Sequence, residues 1–186
     1  MINFENLTPR VLVIGDLMID QYLWGTCDRI SPEAPVQVIN VNKDSNVLGG
    51  AGNVINNLKK LGADVEVISV IGDCQASLDL MRLLKEIEVK TNKLVQQKNR
   101  ILSTKSRIIA SQQQVVRYDR ESSEEINFQS EKAILNLVKE NLKNYEIILL
   151  SDYGKGVLTK KITQTVIQLA NNSKIKVLVD PKGKDY

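Results

Sequence analysis

The chain is 186 residues long, 42% hydrophobic and 25% charged, with a net charge of +3. That balance fits one globular domain with a real core and at most a small appendage, and it gives no electrostatic case for nucleic acid. The sequence has no histidine, few aromatic residues and only two cysteines, Cys27 and Cys74, which excludes a Ser–His or Cys–His nucleophile within it and argues against base-stacking platforms, a disulfide framework and a zinc site.

The opening "MINFENLTPR" holds no apolar segment of signal-peptide type, and no run reaches the ~20 apolar residues of a membrane span. A cytoplasmic protein without membrane attachment is expected. "RVLVIGD" (Arg10 to Asp16) then reads as a buried strand. "YLWGTCDRISPEAPVQVINVNKD" (Tyr22 to Asp44) is mixed in pattern, part strand and part turn. After a presumed loop, "NKDSNVL", the stretch "GGAGN" (Gly49 to Asn53) opens a helix with Val54, Ile55, Leu58 and Leu61 on one face.

A second strand, "VEVISVIGD" (Val65 to Asp73), leads into a helix with Leu78, Met81, Leu84 and Ile87 on one side; Asp73 is a candidate cap. "ILSTKSRIIASQQQVVRYDRE" (Ile101 to Glu121) reads as a hairpin with "ASQQQ" between its strands. A helix carrying Ala133, Ile134, Leu137, Val138 and Leu142 follows, with Ser130 a candidate N-cap. "EIILLSD" (Glu146 to Asp152), a helix beginning near Thr159, and "KVLVDP" (Lys176 to Pro181) close the chain. Continuous Val, Ile and Leu runs alternating with helices predict an α/β fold: a parallel sheet with helices on both faces. Trp24 is expected in the core or an interface.

All four strands end in aspartate: Asp16, Asp73, Asp152 and Asp180. Ligands of open parallel sheets bind beyond the carboxyl ends of the strands, so these carboxylates mark a rim suited to a polyol or a metal–phosphate. Asp20 follows Asp16 by four residues. In an extended chain the two would share a side and grip adjacent sugar hydroxyls. The glycines are neither GxxxxGK[ST] nor GxGxxG; a ligand-approaching backbone and a plain packing turn both remain open. Lys105, Arg107, Arg117 and Arg120 lie in or beside the hairpin, Lys155 lies in "SDYGKG", and Lys182 and Lys184 lie in "DPKGKD". Cations at such places suit a phosphate, although any one of them also reads as a solvated surface charge.

"VIGDLMIDQYLWG", "RISPEAPVQV", "GGAGNVINNLKKLGA", "VVRYDRE", "LSDYGKGVL" and "VLVDPKGKDY" together resemble ribokinase-like (PfkB-type) carbohydrate kinases. More narrowly, they resemble the heptose-7-phosphate kinases, which in many bacteria form the N-terminal half of a bifunctional ADP-heptose synthase. The resemblance implies sugar binding by Asp16, Asp20, Gly49, Gly50 and Asn53. It makes segments 22–44 and 101–121 a β lid, with Arg107 and Arg117 candidates for the 7-phosphate and Lys155 and Lys182 nearer phosphoryl transfer. It implies transfer of the ATP γ-phosphate, with Mg²⁺, to O1 of D-glycero-D-manno-heptose 7-phosphate for ADP-heptose and lipopolysaccharide core synthesis. It also implies a homodimer through the lid.

The family's GAGD motif, with its catalytic base, and its NxxE motif do not occur in the 186 residues. No catalytic residue is therefore assigned within the chain, and the base is expected downstream of Tyr186. The chain is expected to be the sugar-binding and lid part of a kinase, 1–186 being the N-terminal part of the domain, without its nucleotide-binding part and inactive alone. Which residues hold a metal stays open. An unpaired strand edge is expected too. The alternatives are a ribokinase-like kinase for another sugar phosphate and a non-catalytic sugar-phosphate-binding module.

Overall fold

The computed structural model describes residues 8–182. The first seven residues, Lys184 and Tyr186 lie outside them, and so does the base expected beyond Tyr186. The main sheet contains β1 (Arg10–Gly15), β4 (Asp64–Ile71), β5 (Leu94–Gln96), β8 (Ile147–Ser151) and β9 (Lys176–Asp180) in the order β5-β4-β1-β8-β9. Every pair in it is parallel. Helices α1 (Ala51–Lys60) and α2 (Gln75–Glu86) cover one face, and α3 (Phe128–Asn141) and α4 (Lys160–Asn172) cover the other. Strand alternation sorts the core between them. Val11, Val13, Val65 and Val67 pack with Ile55, Leu80 and Leu84, whereas Leu12, Ile14, Ile148 and Leu150 pack with Ile134, Val138, Ile162 and Val166. Each fully buried Leu or Ile contributes about 1.5–3 kcal/mol of apolar burial, which is why these strands read as unbroken apolar runs.

The two segments outside the strand–helix scheme form a second sheet. Its strands are β2 (Leu17–Ile30), β3 (Gln37–Gly50), β6 (Ser103–Ala110) and β7 (Gln113–Arg120), in the order β3-β2-β6-β7. This sheet is longer than the sequence implied, because β2 starts directly after Asp16 and β3 continues to Gly50. "NKDSNVL" is thus strand, and the glycines end a strand rather than follow a loop. The hairpin turn is only Ser111–Gln112, both with positive φ (49° and 67°). That is the backbone of a two-residue primed turn, made without the Asn-Gly that usually signals it.

Other local expectations are corrected as well. Asn127, not Ser130, caps α3: its side chain accepts from the Ser130 N–H at 2.8 Å. Cys74 occupies the N-cap position of α2, while Asp73 accepts from the Asn99 N–H at 3.0 Å. Leu61 is 82% exposed just past α1, and Leu78 is exposed on α2, where Leu80 is buried in its place beside the expected Leu84. Trp24 is half-buried on the lid, stacked on Tyr22 with ring centroids 5.6 Å apart. Thr159 caps α4 as expected, accepting from the Ile162 N–H at 3.1 Å.

Candidate functional site

The second sheet carries the expected site side chains on one face. Along β2, Asp20, Tyr22 and Trp24 alternate with Ile19, Gln21 and Leu23. Register sets Asp20 opposite Lys105 and Tyr22 opposite Arg107, and across the hairpin Lys105 opposite Asp119 and Arg107 opposite Arg117. Asp20, Lys105, Arg107, Arg117 and Asp119 therefore share a face. Arg107 Nη1 donates to Asp20 Oδ1 at 2.6 Å, and its guanidinium lies 5.3 Å from the Tyr22 ring centroid. The hydrogen bond to Asp20 pushes the Arg107 pKa further up, so this residue stays a cation.

The charges continue as a chain from the lid to the rim of the main sheet. Arg117 Nη2 meets Asp119 Oδ2 at 3.1 Å, and Lys105 Nζ meets that oxygen at 3.1 Å and Glu121 Oε2 at 3.4 Å. Lys155 Nζ then meets Glu121 Oε1 at 2.8 Å. The hydrogen bond from Lys155 leads in holding the Glu121 carboxyl below its ordinary range. Lys155 thus lies at the root of the lid. Lys182 runs beside the same loop, with its Cγ 3.4 Å from where a Cβ on Gly154 would stand.

Gly49 and Gly50, paired with Met18 and Leu17 of β2, lie against Asp20 and Asp16. A Cβ on Gly49 would collide with Asp20 Oδ2 and lie 2.9 Å from Met18 Cγ. Gly50 takes φ +55°, and its added Cβ would sit 2.6 Å from the Asp16 carbonyl oxygen. No side chain caps α1, so its first N–H groups depend on other partners; the Ala51 N–H donates to the Asp16 carbonyl at 3.0 Å. Asn53 stands exposed in this first turn.

Asp16 does not join Asp20. The chain turns at Asp16 from one sheet into the other, so strand alternation does not carry across it. Its side chain is buried, at 1% residue exposure, and accepts three backbone N–H groups: Tyr153 at 2.9 Å, Lys155 at 3.0 Å and Val157 at 3.0 Å. Burial raises its pKa against the lowering effect of those bonds. The expectation that the two carboxylates grip neighbouring hydroxyls from one side is corrected on this geometry. Sequence reasoning also passed over Arg100, whose buried guanidinium donates to the carbonyls of Lys155 and Glu124. No motif around "KNRIL" marked it.

Among the described residues, no three His, Cys, Asp or Glu side chains converge to hold a metal ion. No helix among them is long and apolar enough to cross a membrane. A cavity of about 610 Å³ opens on the opposite lid face between Tyr118, Arg120 and the start of α2. Neither Asp20, Arg107 nor Lys155 lines it.

Residues 8–186 match the family model described as pfkB family carbohydrate kinase. The chain is 63% identical over 178 residues to a protein of Aliarcobacter butzleri named bifunctional protein HldE, covering 96% of this chain and 37% of that protein. A protein of the same name from Sulfurimonas denitrificans is 54% identical over 182 residues, covering 98% and 38%. The chain thus spans little more than a third of the length of these relatives. Among solved structures, a possible 1-phosphofructokinase of Thermotoga maritima shares the fold with a TM-score of 0.70 at 18% identity, covering 91% of this chain and 53% of that one. An Arabidopsis thaliana ribokinase, complexed with ribose and ATP, has a TM-score of 0.64 at 16% identity, covering 97% and 55%.

Proposed function

Because the chain belongs to the pfkB family of carbohydrate kinases, we propose that it forms the sugar-binding and lid part of a kinase that phosphorylates O1 of D-glycero-D-manno-heptose 7-phosphate from MgATP. The observation that carries this reading is the Asp20–Arg107 pair on the lid face, beside a glycine floor that admits no side chain. A carboxylate suits sugar hydroxyls and arginine suits a phosphate. In this reading Asp20, Gly49, Gly50 and Asn53 hold the sugar, and Arg107 and Arg117 meet the 7-phosphate. Lys155 and Lys182 offset charge nearer the transferred group. Asp16 supports the site from beneath rather than touching sugar.

What such a site must supply is position, charge neutralisation and exclusion of water. Mg²⁺ bound with ATP would offset phosphate charge. The family's GAGD motif is missing from the 186 residues, so in this reading the general base lies outside them, and the 186 residues alone are expected to be inactive. The protein is expected to work in the cytoplasm, where ATP and sugar phosphates meet. The lid face opposite Asp20 exposes Val116 (46%) and Tyr118 (48%), a surface suited to a second lid in a homodimer.

A thermal-shift panel on the full-length protein tests the substrate. A ligand that binds only the folded state raises Tm in proportion to RT ln(1 + [L]/Kd). Heptose 7-phosphate should give the largest shift, above unphosphorylated heptose and other sugar phosphates. Equal shifts across the panel would remove the heptose reading.

A further inference from the structure

The loop Tyr153–Val157 lies where the lid joins the main sheet. The chain crosses between the two at Asp16, at Gly50–Ala51, at Arg100–Leu102 and at Glu121–Ile126. Each crossing bears on this loop or on the residue holding it. The Asp16 carboxylate accepts from Tyr153, Lys155 and Val157, and the Asp16 carbonyl accepts from Ala51. Arg100, 9% exposed, donates to the carbonyls of Lys155 and Glu124. The Ile126 N–H donates to the Gly156 carbonyl at 3.0 Å, and Gly156, at φ +82°, sits so close to Glu124 that a Cβ would collide with that backbone. Two buried groups of opposite charge therefore hold the Lys155 peptide by its N–H and by its carbonyl. The lysine side chain is left to reach Glu121 at the lid's root.

We propose that Asp16 and Arg100 are positioning residues that act on the substrate only through this loop, fixing Lys155 at the joint between lid and sheet. The substrate part rests on the kinase reading above; the clamp itself does not.

The test uses the full-length protein with Asp16→Asn, Arg100→Met, Arg100→Lys and Lys155→Met. Amide hydrogen exchange reads the clamp. Exchange at residues 153, 155 and 157 should accelerate by about tenfold or more in Asp16→Asn and Arg100→Met, as expected when buried hydrogen bonds to charged groups are lost, and Arg100→Lys should return part of the protection. Unchanged exchange would overturn the clamp. A kinetic cycle with heptose 7-phosphate reads the route. Arg100→Met and Lys155→Met should each lower kcat/KM by about tenfold or more, and the double variant should lose no more than the worse single, because groups acting as a unit are non-additive. Losses that multiply would overturn action through Lys155. Failure of the wild-type protein to phosphorylate heptose 7-phosphate would instead remove the proposed function, and the exchange data would still decide the clamp.

Discussion

Asp20 and Arg107 sit one fifth exposed, with a short ion pair between them. Arg107→Met would leave Asp20 without its cation and would remove a fork suited to phosphate. The expected result is a KM for the sugar phosphate raised by roughly 10–100-fold with kcat less affected, measured by initial rates on the full-length protein. Gly49→Ala should act through the same carboxylate, since its methyl would occupy the place of Asp20 Oδ2; a KM unchanged by this substitution would contradict the floor. A different residue governs acid stability. Burial pushes the Glu66 carboxyl up, but the hydrogen bonds from Lys93 and Tyr145 outweigh it and leave the pKa below 4.5. A lowered folded pKa stabilises the fold above the unfolded value and loses that effect as pH falls through the folded one. Glu66→Gln should therefore cost about 1–3 kcal/mol at pH 7, and the difference should shrink below pH 4.5 in urea unfolding. At this scale the sequence was readable only in part. "GDLMID" offered two acidic candidates, and only the turn between two sheets, invisible to a period-two argument, separates buried Asp16 from Asp20.

The strands of the main sheet were the most legible elements. Burial on both faces demands unbroken apolar runs, and β1, β4 and β8 have them. β5, only three residues long, has too little pattern to read. Caps and turns were harder, because several residues in a row carry the same chemistry: Asn127 and Ser130 are both good N-caps, and geometry chose the first. The hairpin turn hid because Ser111 and Gln112 adopt left-handed backbone that Asn and Gly would adopt more easily. Replacing them with Asn-Gly should stabilise the protein by about 0.5–1 kcal/mol, seen as a rise in Tm. Thr159→Ala should cost about 1 kcal/mol through the lost α4 cap. A neutral result there would mean that the hydroxyl's second bond, its donation to Glu131 at 2.8 Å, had been disadvantageous enough to offset the cap.

For the molecule as a whole, strand order gave the layered α/β architecture, and the two irregular segments proved to be one continuous lid sheet. Its register could not be read from composition, since three register shifts and a short turn set it. The edge strand β9 leaves Leu178 54% and Val179 38% exposed, apolar surface of the kind that another strand or subunit normally covers. The proposed lid homodimer predicts that Val116→Glu shifts sedimentation of the full-length protein from dimer to monomer; an unchanged dimer would move the interface elsewhere, and a wild-type monomer would remove it. In the proposed function the Asp20 face of the lid binds a heptose phosphate for phosphorylation. The most direct measurement is MgATP-dependent phosphorylation of heptose 7-phosphate by the full-length protein, wild type against Asp20→Asn. The predicted result is formation of the 1,7-bisphosphate by the wild type, with kcat/KM about 100-fold lower in the variant and the KM for ATP unchanged. No phosphorylation by the wild type, or equal rates in both proteins, would contradict it.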